Sequence, residues 1–203
     1  NFSGIAATII RVQDIPSITV NDLTADNVVN AGEAQAGVEV TGTVTNAEAS
    51  PLEGLEVTVT LAETEFTATT DAQGQWSVTL PQNRLTDQGN GETSLTASVT
   101  NAAGNSGSFE QTFTIDLAPP AAPTLALAED TGAENGDGIT SNGTVTVGNL
   151  QTGASWEYSV DGGENWITGE GNSFELEEGS YPQGTVLARQ TSDTGNTSVA
   201  GNL

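Results

Sequence analysis

The sequence predicts an all-β chain: two β-sandwiches in tandem, preceded by one strand of a further unit. Three observations carry this. Apolar residues alternate with polar ones in run after run, as in Val38-Glu-Val40 and Trp76-Ser-Val78-Thr-Leu80, which is the period of a half-buried strand. Turn residues separate the runs at short intervals, and no segment keeps a helical period. A pattern of Ser-Gly, extended run, Asp and Pro occurs over Ser3 to Pro16 and again over Ser106 to Pro119, which marks a repeated unit.

Composition limits the function. The 203 residues suit one or two domains. Acidic residues number 27 against 3 basic ones, for a formal net charge of −24. Arg11, Arg84 and Arg189 are the whole cationic complement. Phosphate binding needs cationic side chains, so nucleic acid is not an expected partner. An anionic membrane surface repels such a chain, and no apolar run is long enough to span a bilayer. Without His, Cys or Lys, the usual bases, thiol nucleophiles and Schiff-base formers are missing, so an enzyme is not expected. The absence of Cys also excludes a disulfide scaffold. No signal peptide is visible, and the chain reads as a piece of a longer one.

Residues 1–16 are expected to be the last strand of a preceding repeat, running from Ile5 to Val12. The first full repeat spans 17–118. Ile18 and Val20 open it, and Val38, Val40 and Val44 continue it. Leu55, Val57, Val59 and Leu61 alternate next. Phe66 leads into the turn Asp71-Ala-Gln-Gly74, and Trp76, Val78 and Leu80 return from it as a hairpin. Leu95, Ala97 and Val99 form a further strand. The turn Asn101-Ala-Ala-Gly104-Asn105 then sends the chain into Phe109, Phe113 and Ile115. This makes about seven strands, the size of a usual sandwich.

The second repeat spans 119–203. Its strands center on Val145 and Val147, on Trp156, Tyr158 and Val160, on Phe174 and Leu176, and on Val186 and Ala188. Asp161-Gly-Gly163 turns the chain into Trp166. Ser192-Asp193-Thr-Gly195-Asn196 matches the Asn101 turn. A final strand should follow, and the chain stops at Leu203.

The joint between the repeats is the chemically dense stretch. Pro119, Pro120 and Pro123 forbid a helix and remove backbone donors. Carboxylates crowd both sides: Asp116 before the prolines, then Asp130, Glu134 and Asp137 among glycines. Such groups repel one another unless a cation sits between them. Hard oxygen ligands with turns permitted by Gly suit calcium, Ca2+. Asn101 or backbone carbonyls could complete the usual six to eight oxygens. The alternative is that Asp and Gly only form turns on a solvated surface. An equivalent site at the first joint would use Asp14, Asp22, Asp26 and Glu33. Trp76 and Trp156 begin alternating strands and read as core. Trp166 follows a turn, and an exposed ring there could stack on a sugar.

Thr70 to Leu80, Tyr158 to Trp166 and Phe174 to Gln190 resemble bacterial immunoglobulin-like repeats. These are tandem units of very large surface adhesins of the biofilm-associated and RTX type. The resemblance implies two immunoglobulin-like β-sandwiches forming an extracellular extender arm on a bacterial cell surface. Its neighbors are other repeats of the same chain, with calcium at the junctions, and it projects an adhesive tip for cell adhesion and biofilm formation. The family's Asp and Gly-Asn turn is present from Asp193 to Asn196, which adds Asp193 to the candidate ligands; Asn101 stands at that place in the first repeat. The alternative is a glycan- or protein-binding module of the same adhesin. Residues 5–12 of one molecule are also expected to complete the second repeat of the next by head-to-tail strand exchange.

Overall fold

The computed structural model describes residues 15–46, 51–134 and 136–203. The expected strand from Ile5 to Val12, and Asp14, lie outside them. The chain divides into two compact units, one of Asn1–Val29 with Ala34–Ile115, the other of Asn30–Glu33 with Asp116–Leu203.

The first carries β1 (Ser17–Val20), β2 (Val28–Asn30), α1 (Ala31–Ala36), β3 (Val38–Thr45), β4 (Glu56–Leu61), β5 (Thr64–Thr69), β6 (Gln75–Leu80), α2 (Gln82–Thr86), β7 (Gly91–Thr100) and β8 (Ser106–Asp116), apart from Asn30–Glu33 and Asp116, which belong to the second. Its sheets have the orders β1-β3-β6 and β2-β8-β7-β4-β5. Alternation does what the sequence requires: Val38, Val40 and Val44 are buried while Glu39 and Thr45 are exposed. The pairs Val57↔Val99, Val59↔Ala97 and Leu61↔Leu95 present apolar rungs from the other sheet, each Val and Leu side chain contributing about 1.5–3 kcal/mol by burial. Trp76 is 3% exposed and stands opposite Gly42. A Cβ on Gly42 would lie 2.5 Å from the indole, so the ring occupies the room a side chain would take.

Three elements differ from the sequence expectation. Strand β2 has 3 residues, and helices α1 and α2 have 6 and 5. None is long enough to display a period. Local chemistry forms them instead. Asn30 Oδ1 accepts from Glu33 N–H and Glu33 Oε2 accepts from Asn30 N–H, both at 3.0 Å. This reciprocal capping box starts α1. Pro81, extended at φ −77°, opens α2.

The second unit contains β9 (Thr124–Leu127), β10 (Thr144–Gly148), β11 (Ser155–Ser159), β12 (Ile167–Thr168), β13 (Ser173–Glu175), β14 (Leu187–Thr191) and β15 (Gly201–Asn202). Its sheets are β9-β10-β13 and β12-β11-β14-β15. They answer strand for strand to β1-β3-β6 and β5-β4-β7-β8. The final strand, expected from the sequence to be missing, is present as the two-residue β15. Val145, Val147, Trp156, Phe174 and Val186 form the core. Tyr158 stacks on Phe174 with centroids 4.1 Å apart. Gln190, 1% exposed, is fully used: its Nε2 donates to the carbonyls of Ala121 and Asn149, and its Oε1 accepts from Gln151 N–H. A buried amide is tolerated on those terms.

Candidate functional site

The loop between β9 and β10 holds the acidic cluster of the sequence. Gly136 and Gly138 take left-handed φ of 94° and 74°, which lets both of their N–H groups turn onto one carboxylate. Asp130 Oδ2 accepts them at 2.7 and 3.3 Å. Asp130 Oδ1 is buried and has no hydrogen-bond partner. Around it the loop is closed by Thr140 Oγ1 donating to the Glu129 carbonyl at 2.7 Å and by Ser141 N–H donating to Thr131 Oγ1 at 2.7 Å. Asp137 Oδ1 accepts from Ile139 N–H at 2.9 Å, and Glu134 is exposed.

Asp116 ends β8 and is bound elsewhere. Its Oδ2 accepts from Thr194 Oγ1 at 2.8 Å, its Oδ1 from Ala118 N–H at 3.2 Å, and its carbonyl from Asn196 Nδ2 at 2.8 Å. Asn196 Oδ1 accepts from Ala31 N–H at 2.9 Å. The sequence does not single out Thr194 and Asn196 as the groups that hold Asp116. The Gly-Asn turn was the available signal, read only for its Asp. Asp193 itself is exposed. Asn101 answers to Ser192, not to Asp193: Gly104 N–H donates to the Asn101 carbonyl as Gly195 N–H does to that of Ser192. Asn101 Oδ1 accepts from Ala103 and Asn105 N–H, closing its own turn.

The other candidates are engaged in hydrogen bonds with the protein itself. Asp22 Oδ1 accepts from Gln111 Nε2 at 3.4 Å. Asp26 Oδ1 accepts from Val28 N–H and Thr24 Oγ1, both at 3.0 Å. The Val28 amide chiefly holds its carboxyl below the usual range. Glu33 belongs to the α1 capping box. Among the described residues, no three acidic side chains gather as a metal cluster. Among the candidate ligands, Asp130 retains a buried oxygen without a partner, and a hard anionic oxygen fits calcium.

The aromatic groups are occupied. The Arg189 guanidinium lies 4.0 Å over the Trp166 ring and is fixed by Glu157 Oε2, which accepts from its Nε at 3.0 Å and Nη2 at 2.8 Å. One face of Trp166 is therefore covered by the protein's own cation.

Residues 39–117 match the bacterial Ig-like domain family. The chain is similar in structure to a 1.5-MDa bacterial ice-binding adhesin, a structure bearing on host cell surface retention, with 22% identity and a TM-score of 0.57, covering 95% of this chain and 63% of that one. It is similar to a Ca2+-stabilized adhesin with which an Antarctic bacterium reaches out and binds ice, with 24% identity and a TM-score of 0.59, over 92% of this chain and 47% of that one. These likenesses show the fold, and the chain spans less than two thirds of either protein's length. A bacterial immunoglobulin-like domain from the M. primoryensis ice-binding adhesin is 33% identical over 51% of this chain and 100% of that domain, with a TM-score of 0.42. No curated protein matches. By the match over 39–117, that part of the chain belongs to the bacterial Ig-like domain family.

Proposed function

We propose that this chain is a calcium-binding pair of extender repeats in a bacterial cell-surface adhesin. The observation that carries the calcium reading is the buried, unpartnered Oδ1 of Asp130. Calcium supplies the counter-charge that oxygen lacks and accepts six to eight oxygen ligands in flexible geometry. Asp130 would hold it, with loop carbonyls and water completing the shell. The extender role is supported by the adhesins to which the chain is similar. Neighboring repeats of the same chain are the partners, the extracellular bacterial surface is the location, and adhesion and biofilm formation are the outcome. Calcium stiffens the extender in this reading by fixing the loop between β9 and β10.

Calorimetric titration with calcium tests this, together with melting and small-angle scattering in calcium and in chelator. Calcium should bind, raise the melting temperature by mass action and narrow the range of end-to-end distances. No heat and unchanged curves would overturn the reading. A glycan-binding role is less supported, because Arg189 already covers the Trp166 ring.

A further inference from the structure

Strand β5 (Thr64–Thr69) forms one edge of its sheet, beside β4. An edge strand leaves alternate main-chain groups unpaired. Thr70 N–H donates to the Leu55 carbonyl, which sets the phase of the β4–β5 ladder. By alternation, Ala68, Phe66 and Thr64 bond toward β4, opposite Val57, Val59 and Leu61. The N–H and C=O groups of Glu65, Thr67 and Thr69 then point away from β4. These three residues are exposed.

Most devices that guard an edge are missing here. β5 has no proline, and the chain has no lysine. Its register with β4 runs from Glu56↔Thr69 to Leu61↔Thr64 without a bulge. Glu65 is its one charged residue. The edge that answers to it in the second unit, β12, has 2 residues, a length that protects an edge by itself.

We propose that β5 is a self-association edge that pairs antiparallel with β5 of a second copy of this chain. The register that fits sets Thr67 opposite its own counterpart across a two-fold axis, Glu65 opposite Thr69, and Phe66 opposite Ala68. It joins the residues whose main-chain groups point outward only to one another, so each N–H meets a C=O. The side chains agree with it. Glu65 faces a threonine and not its own copy. The protein already uses that pair: Thr144 and Glu175 are directly opposite across β10 and β13, and Thr144 Oγ1 donates to Glu175 Oε1 at 2.7 Å. The half-buried Phe66 meets the small Ala68. The contact is isologous and closed, so it makes dimers and not open chains. A contact of one short strand belongs to the weak, transient class, and the net charge of −24 opposes it at low salt. This goes beyond the extender role and does not depend on calcium.

Sedimentation velocity of the full chain up to about 1 mM, at low and at high salt, tests it. A reversible dimer that tightens with salt is expected, with concentration-dependent NMR shifts of the Glu65, Thr67 and Thr69 amides. Thr67 is exposed, so substitution there leaves the fold intact. Thr67→Glu places like charges opposite each other at the axis and should weaken the dimer at least ~3-fold, as should Thr67→Lys. An equal mixture of the two variants should associate at least ~3-fold better than either alone, because opposite charges then face each other. A chain that stays monomeric at both salts overturns the proposal. So does a dimer that Thr67→Glu leaves unchanged, a mixture no tighter than its components, or amide shifts confined to other strands.

Discussion

Asn196 grips Asp116 through the main chain: its Nδ2 donates to the Asp116 carbonyl at 2.8 Å while its Oδ1 accepts from Ala31 N–H at 2.9 Å. At 3% exposure, the amide has no water to fall back on. Removing it as Asn196→Ala strands one donor and one acceptor, at about 1–3 kcal/mol for each buried group. Asn196→Asp keeps the shape but cannot donate to the Asp116 carbonyl, so it should destabilize as well. Urea unfolding in chelator measures both. A loss that appears only with calcium present would mean that the network acts through the metal and not by itself.

The two core tryptophans should respond differently to the same substitution. Trp156 Nε1 donates to the Gly171 carbonyl at 3.1 Å, whereas Trp76 Nε1 is buried without a partner among the described residues. Replacing either by Ala should cost about 3–5 kcal/mol. Replacement by Phe separates them: Trp156→Phe abandons an acceptor, while Trp76→Phe discards a donor that was never satisfied. Thermal unfolding should show the smaller loss for Trp76→Phe. Each indole also excludes a side chain, since a Cβ on Gly169 would lie 2.3 Å from Trp156. Gly169→Ala should therefore overpack the second core, by about 1–3 kcal/mol.

Calcium binding should depend on Asp130 more than on its acidic neighbors. Asp137 Oδ1 is engaged by Ile139 N–H at 2.9 Å, and Glu134 is exposed. Asp130→Asn keeps an oxygen but removes the charge, and should cut calcium affinity by at least ~10-fold, the weight of about one charge-assisted contact. Asp137→Asn should cost less. Isothermal titration of the two variants decides the order, and equal losses would place the ion on a shared carboxylate set.

Where a strand is long and half-buried, the sequence displays it. The alternation at Val38, Val40 and Val44 and at Trp76 and Leu80 became buried faces of β3 and β6. The turn at Asp71 is closed by its own side chain, whose Oδ1 accepts from Gln73 and Gln75 N–H, but it is not the expected hairpin: β5 pairs with β4 and β6 with β3, so the turn carries the chain from one sheet to the other. The three-residue β2 and the two short helices carried too few residues to show a period, although Asn30-Ala-Gly-Glu33 is a legible capping box. The acidic stretch was legible as a place but not as a geometry. Carboxylate spacing does not say which oxygens backbone amides will take, and here amides and hydroxyls claim those of Asp116, Asp26 and Asp137.

Acid should expose two of the turns. Asp161 accepts from Asn165 N–H at 3.0 Å, from Asn165 Nδ2 at 2.7 Å and from Ser159 Oγ at 2.7 Å. Those bonds, the Asn165 amide foremost, hold its carboxyl far below the usual carboxylate range. Asp26 is lowered in the same direction, chiefly by the Val28 amide. For a carboxylate whose folded pKa is depressed, the unfolded chain takes up the proton first as pH falls. The stabilization is therefore fully present above the unfolded value, about 3.9, and is lost as pH falls through the folded one. Both side chains are solvent-facing, so each effect is small and screened by salt. Total stability against pH would also carry the mutual repulsion of the other carboxylates, which a double difference removes. The stability of wild type minus that of Asp161→Asn should be constant from pH 7 to about 5 and should shrink below about 4. Asp26→Asn should show the same sign over a narrower range. Denaturant unfolding at closely spaced pH values measures this. A difference that grows on acidification would show that the Asp161 turn is not held by its ionized form.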